Sequence, residues 1–339
     1  GYGQIINSIQ FALKQKANDS WRMFVESANK TLIEWDRDPK YLSFFCGKNN
    51  FSAPKSLDQL KKLLGEKPKS KIIAGMTDVG LLITKKDWEF DNLVSILQVE
   101  ELKSIKVVGS NIIIPAAVSY SDAQATLAKY SKSLDNFIRR IGGLQVRNCG
   151  TLCENIANGS PIGDMPPPLI AMGASIVIRG SKGTRKIALE NFFIDYGLQD
   201  LSNGEFIESI IIPSLKGSFA CYKISKRFDQ DISAVSGAFN ICLEDRRVVS
   251  ARIAYGGMAS IPKRAKACEA TLMGKIWNKK TIKLAQEAIE NDFSPISDVR
   301  ASKEYRRFVA QNLLERFYSE TQSTSLTINL ADRSAIQRI

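Results

Sequence analysis

At 339 residues and 44% hydrophobic content, the chain is long enough for two or three domains with full cores. It contains no histidine, which removes Ser-His-Asp, Cys-His and HExxH zinc chemistry. Its formal charge of +12 is spread over short pairs such as Lys61-Lys62, Arg246-Arg247, Lys279-Lys280 and Arg306-Arg307. With no aromatic-interleaved basic stripe, these pairs read as solvated helix faces and not as a nucleic-acid surface.

In chain order, Ile5, Ile6, Ile9, Ala12 and Leu13 have helical spacing. Residues 18–50 are mixed in composition and read as a linker, so that a compact domain is expected to start near Phe51. Ser56 is an N-cap candidate for a helix with Leu57, Leu60, Leu63 and Leu64 on one face. A short strand at Ile72–Ala74 empties into the turn Gly75-Met76-Thr77-Asp78 and then the apolar run Leu81-Leu82-Ile83. Such a turn leaves backbone N–H groups unpaired and makes an anion nest, to which a Thr hydroxyl adds a donor. It is neither a Walker loop nor GxGxxG. Val107–Ile114 reads as two strands broken at Gly109-Ser110-Asn111. A helix capped by Ser121-Asp122 carries Ala125, Ala128, Leu134, Phe137 and Ile138 up to the segment Ile141–Leu169.

That segment, IGGLQVRNCGTLCENIANGSPIGDMPPPL, holds five Gly and four Pro, and neither the helical nor the strand period persists in it. It reads as backbone that turns repeatedly and can approach a ligand closely. Strands are expected at Ala174–Arg179, Phe206–Ile212, Phe219–Lys223, Ser236–Leu243 and Val248–Gly256. Helices are expected near Arg264–Met273, Thr281–Asn291 and Ser302–Tyr318, the last with Tyr305, Phe308, Val309, Leu313 and Phe317 in helical register. A polar tail follows Glu320. The six cysteines form no C-x-x-C pair, which argues against zinc or iron–sulfur ligation by this chain and fits a reducing cytoplasm. No apolar run reaches the roughly 18–20 residues of a membrane span, and no signal peptide opens the chain.

Two of these stretches together resemble the FAD-binding domain of the xanthine dehydrogenase family of molybdenum hydroxylases, which includes carbon monoxide dehydrogenase and aldehyde oxidases. The family's first loop is Val-Ala-Gly-Gly-Thr-Asp-like. Its second is matched here by Gln145, Arg147-Asn148, Gly150-Thr151, Asn155-Ile156-Ala157, Ser160-Pro161, Asp164 and Pro167. Within the family the chain most resembles the small subunit of the bacterial xanthine dehydrogenases, to which Tyr222–Val235 adds a further similar segment. Tyr255-Gly256-Gly257-Met258-Ala259 and Tyr305-Arg306 resemble landmarks of its C-terminal unit. Gly1-Tyr2 resembles the end of a motif that closes a 2Fe–2S domain, which would place iron–sulfur domains upstream.

The resemblance implies an α+β chain: a two-subdomain FAD-binding fold of the vanillyl-alcohol-oxidase/PCMH type, then an α+β C-terminal cap. The expected divisions are a helix and linker at 1–50, the FAD-binding domain at 51–215, the cap at 216–320 and a tail at 321–339. By resemblance, Ile72, Ile73, Ala74, Gly75, Met76, Thr77, Asp78 and Val79 wrap the FAD pyrophosphate, and a Cβ at Gly75 would take the ligand's space. Ile141 sits near the isoalloxazine. Thr151, Leu152, Cys153, Glu154 and Asn155 occupy the second phosphate-loop position. Asp164, Ile207 and Lys223 match further FAD contacts, and Lys226–Asp231 resembles a loop governing access of NAD.

The implied function is that of the FAD-carrying subunit of a xanthine dehydrogenase, taking electrons from 2Fe–2S clusters and passing a hydride to NAD, with no catalytic side chain required. The same module in an aldehyde or aromatic hydroxylase, or in a carbon monoxide dehydrogenase-like complex, is the alternative. A flavin-free scaffold is a more distant one. The implied partners are a molybdopterin-binding large subunit and the chain's own 2Fe–2S domains, in a heterotetramer of two small and two large subunits.

Two positions depart from the family pattern. Met76 stands where Gly is common, and Cys153-Glu154 replaces a Gly pair. A carboxylate within about 4 Å of a diphosphate costs on the order of 1–4 kcal/mol. The substitution therefore implies either weaker FAD binding or a Glu154 side chain that swings away.

Overall fold

The computed structural model describes residues 3–15, 19–38 and 40–322. It divides into two compact units, Gly1–Tyr41 and Leu42–Ile339. The first contains α1 (Gly3–Leu13) and α2 (Asp19–Arg37). Helix α2 corrects the linker expected over 18–50. The heptad-like spacing of Trp21, Val25, Ala28, Leu32 and Trp35 is the signal that marks it.

The second unit opens with β1 (Leu42–Cys46) and β2 (Asn49–Ala53), followed by α3 (Leu57–Glu66), β3 (Lys71–Ile73), α4 (Val79–Lys86) and β4 (Asn92–Ser95). The four strands form one sheet in the order β1-β2-β4-β3. β1 and β2 are an antiparallel hairpin, while β2, β4 and β3 run parallel, as strand–helix–strand crossovers require. The sheet thus begins at Leu42, ahead of the start expected near Phe51. Ser56 caps α3 by accepting from Gln59 N at 3.3 Å, and Leu60, Leu63 and Leu64 are its buried stripe.

A second sheet follows. β5 (Lys106–Val108) and β6 (Asn111–Pro115) are the expected hairpin, turning at Gly109 with φ of 58°. Next come α5 (Tyr120–Ala128) and α6 (Lys132–Arg139), two helices where one was expected. Ser119, not Ser121, caps α5, and Ser131 caps α6 and breaks the run. The Gly- and Pro-rich segment, expected to lack persistent periodicity, contains three one-turn helices: α7 (Leu144–Cys149), α8 (Leu152–Ala157) and α9 (Pro166–Ala171). The chain then makes β7 (Ser175–Gly180), β8 (Gly183–Ala188), the short pair β9 (Phe193–Asp195) and β10 (Leu198–Gln199), and β11 (Phe206–Ile212). The antiparallel order is β5-β6-β11-β7-β8. Strand β8 has no run of alternating apolar residues, since its sequence GTRKIA is mostly exposed, which is why the sequence did not show it.

Helix α9 is buried along its whole length. The first N–H groups of any helix lack intrahelical acceptors, and burying them is costly. Pro166, Pro167 and Pro168 remove three of those donors at the helix start, where proline is tolerated.

The remainder is β12 (Ser218–Ile224), β13 (Val235–Glu244), β14 (Arg247–Gly256), β15 (Lys263–Arg264), α10 (Lys266–Leu272), α11 (Lys279–Asp292) and α12 (Lys303–Gln322). The strands form an antiparallel sheet in sequence order, covered by the helices. Its core is aromatic: Phe239 stacks on Phe317 at 5.2 Å and meets Tyr255 edge-on at 5.8 Å, and the Tyr255 hydroxyl donates to Ala310 O at 2.8 Å. On α12 the buried face is Arg306, Ala310, Leu313, Leu314 and Phe317, whereas Tyr305 and Phe308 of the expected stripe are exposed. Helix α12 continues to Gln322, past the expected tail boundary, and residues 323–339 lie outside the described part. Among the described residues no helix is long and apolar enough to cross a membrane.

Candidate cofactor site

The turn after β3 lies against the turn joining α7 to α8. A Cβ on Gly75 would stand 2.0 Å from Cys149 O and 2.7 Å from Gly150 N, so only glycine permits this approach. Gly75 therefore joins the two loops, which corrects the expectation that its Cβ would intrude on ligand space. Its neighbour Met76 adopts φ of 55°, a left-handed conformation unfavourable for a side chain. Met76→Gly is expected to raise stability by about 0.5–1 kcal/mol, the relief of strain exceeding the entropy that glycine adds to the unfolded chain. A denaturant midpoint unchanged or lowered would contradict this.

The polar residues of the second loop brace irregular backbone. Arg147 Nη1 donates to Ile141 O at 3.0 Å and Gly142 O at 3.1 Å. Asn148 Oδ1 accepts from Ser121 Oγ at 2.6 Å. Thr151 caps α8, its Oγ1 accepting from Glu154 N at 3.1 Å. Asn155 Oδ1 accepts from Met165 N at 3.2 Å. Asp164 is nearly buried and is fully engaged: Lys223 Nζ on β12 donates to one oxygen and Ser233 Oγ to the other, each at 2.6 Å.

Two cavities flank this pair of loops. One, of about 340 Å³, is lined by Ile72, Ile73, Ala74, Val79, Cys153, Ile207 and the 201–206 loop. The other, of about 550 Å³, is lined by Thr77, Tyr120, Ile141, Asn155, Asp164, Arg227, Gln230, Asp231 and Arg300. Asp78, Thr151, Glu154 and Asn158 line both and mark where they adjoin. Sizes of this order suit small-molecule and cofactor ligands. Of the residues singled out in the sequence, Gly75, Met76, Leu152 and Lys223 face neither cavity. Leu152 is fully buried core, and Lys223 acts through Asp164.

Sequence reasoning missed Tyr120, Asn158 and Arg300. Asn158 Nδ2 donates to Asp78 Oδ2 at 3.0 Å, and Arg300 Nη1 lies 3.6 Å from Asp231 Oδ1. Asn158 stood inside the recognised segment and could have been found there. Tyr120 and Arg300 had no local signal. Burial raises the Tyr120 phenol well above its ordinary range, keeping it neutral.

Glu154 does not swing away. Its Oε2 accepts from Gly75 N at 3.1 Å, and Oε1 is buried without a partner. Burial raises its pKa, the nearby Asp78 carboxylate adds to the rise, and the Gly75 N–H opposes it.

A family model described as the FAD binding domain in molybdopterin dehydrogenase matches residues 47–215, and one described as the CO dehydrogenase flavoprotein C-terminal domain matches 220–321. The chain belongs to the flavoprotein family of the molybdopterin dehydrogenases. Among relatives of this flavoprotein family, the glyceraldehyde dehydrogenase medium chain of Sulfolobus acidocaldarius is 29% identical over 267 residues, 78% of this chain and 95% of that one. Xanthine dehydrogenase 1 of Arabidopsis thaliana is 29% identical over 284 residues, 78% of this chain but 21% of that one, so the chain spans about a fifth of the larger relative. The carbon monoxide dehydrogenase of Hydrogenophaga pseudoflava includes a chain that superposes with a TM-score of 0.75 at 26% identity, covering 80% of this chain and 96% of that one. The fold of the flavoprotein family is the expected α+β, two-subdomain FAD-binding fold with an α+β cap.

The residues fit the flavin dinucleotide of this family in outline. Two cavities offer room for its two ends, Thr151 stands where they adjoin, and Thr77 lines the larger one. The exception is the Glu154 carboxylate, which already takes the Gly75 N–H.

Proposed function

We propose that the chain carries FAD as the electron-transfer subunit of a molybdenum hydroxylase of the xanthine dehydrogenase type. The observation that carries this is the pair of adjoining cavities, with Thr151 and Glu154 at their common border, Thr77 in the wall of the larger one and the Gly75 N–H behind the Glu154 carboxylate. On binding, FAD would supply the redox chemistry between 2Fe–2S clusters, fed from a molybdopterin centre on a partner, and NAD as acceptor.

The chain's own residues position and shield that group. Ile72, Ile73, Ala74, Val79, Cys153 and Ile207 would hold the adenosine end in an apolar wall. Thr77, Asp78, Thr151 and Asn155 would border the diphosphate. Ile141, Tyr120 and Asp164 would line the flavin end, with Lys223 fixing the Asp164 side chain in place. Neutral Tyr120 can donate a hydrogen bond there without adding charge. Arg140 holds the acceptor-side loop in shape: its guanidinium donates to Phe228 O at 2.9 Å, Lys223 O at 2.6 Å and Ser225 Oγ at 3.3 Å.

That loop supports a selective test. Lys226 Nζ donates to Val299 O at 3.0 Å and lines no part of the two cavities, whereas Arg227 borders the larger one. Arg227→Gln should slow NAD-dependent turnover about tenfold while dye-dependent turnover in the assembled complex stays near normal, and Lys226→Gln should slow neither. Equal losses with both acceptors in Arg227→Gln would assign the loop to stability.

Xanthine as substrate is supported by the likeness to xanthine dehydrogenases. An aldehyde is the second reading, favoured by the match along nearly all of the glyceraldehyde dehydrogenase medium chain. Co-purification with its molybdenum-bearing partner, followed by NAD reduction with xanthine against glyceraldehyde, decides between them. Absence of releasable flavin from that complex would refute the function as a whole.

A further inference from the structure

We propose that Glu154 is a built-in occupant of the diphosphate seat, so that flavin loads only by displacing its carboxylate. This deepens the FAD reading and rests on it. Three observations converge on one side chain. Glu154 borders both cavities, so any ligand spanning them must pass it. Its carboxylate takes the Gly75 N–H, a first-loop donor that a diphosphate oxygen would use. Its other oxygen is buried and has no hydrogen-bond partner, so nothing bonds that oxygen in place against displacement.

The side chain is aimed there by its backbone. Thr151 caps α8 through the Glu154 N–H and thereby fixes the start of that helix against the first loop. The other carboxylate at the border, Asp78, is held by Asn158. Of the two, Glu154 is the one that holds a first-loop N–H and buries an unpartnered oxygen, and the one a diphosphate meets in the seat. Two anions cannot share donors in a poorly solvated site, so binding and displacement are one event. The chain without flavin is self-closed, and its affinity for flavin is lowered by the fraction of molecules in which the seat is free.

The test is a titration of the flavin-free full chain with FAD, followed by quenching of flavin fluorescence, alongside a titration with inorganic pyrophosphate. Glu154→Gly should bind FAD about tenfold more tightly, mainly through faster association, and should bind pyrophosphate where the unmodified chain does not. Glu154→Gln, which keeps an acceptor oxygen without its charge, should fall between the two and guards against a folding defect in the glycine variant. FAD affinity equal in all three proteins, or weaker in Glu154→Gly, would overturn the displacement and leave the flavin reading intact. Pyrophosphate binding by Glu154→Gly alone, with no FAD bound by any variant, would support the occupied seat and refute the flavin reading. Failure of both ligands with every variant would refute both.

Discussion

Gly75→Val is expected to destabilise the flavin-free chain by about 3 kcal/mol, and Gly75→Ala by nearly as much. The near equality is the informative part. The clash is made by the Cβ itself, 2.0 Å from a backbone carbonyl oxygen, so the first carbon added does most of the damage. Neither loop yields easily: one leaves β3 and enters α4, and the other is pinned through Thr151 and through Tyr120 N, which donates to Gly150 O at 3.0 Å. Urea unfolding of the two variants without flavin measures the effect. Normal stability with lost flavin affinity would mean that the glycine faces ligand after all.

Lys223→Met is expected to cost about 3–5 kcal/mol, because it strands the Asp164 carboxylate with Ser233 as its remaining side-chain partner. The Lys223 side chain is 0% exposed and that of Asp164 11%, so little water can replace the lost interaction. The charge, not the packing, carries this cost. Adding Asp164→Asn to Lys223→Met should recover most of the stability, since an amide is far cheaper to bury unpaired than a carboxylate. A double variant no more stable than Lys223→Met would place the loss in the packing of the lysine stem.

Much of the fold was legible where one physical signal dominates. Strand β11 holds four isoleucines and buries residues of both faces, and its bounds match the expected ones. Ser56 announced α3 because a hydroxyl directly before an apolar helical stripe has few other uses. The segment Ile141–Leu169 was legible as a site but not as structure. Its short helices are held by caps and by braces from Arg147, Asn148 and Asn155, which leave no periodic trace. The α5–α6 break was missed because the apolar spacing runs on through Ser131. Within the site, Asp164 and Lys223 were found separately, yet their pairing depends on a strand meeting a distant loop. Arg300 reaches the larger cavity from the loop between α11 and α12, and nothing beside it in the sequence marks it. The direction of Glu154 depended on which N–H groups the Gly75 turn left open, a property of the packed loops.

The Lys223–Asp164 pair has a further consequence together with the strand residues that hold α9. Arg252 Nη2 donates to Ile170 O at 2.8 Å, and Asn240 Nδ2 to Ala171 O at 3.3 Å, so carbonyls at the end of this buried helix are satisfied from β13 and β14. The boundary near residue 217 that separates the two family models is thus crossed by a buried charge pair and by the hydrogen bonds that complete a helix. A chimera that takes residues up to 215 from one homologue and the rest from another inherits these contacts only if both parents carry matching halves. The two regions are separate in sequence, but these buried contacts tie them into a single piece.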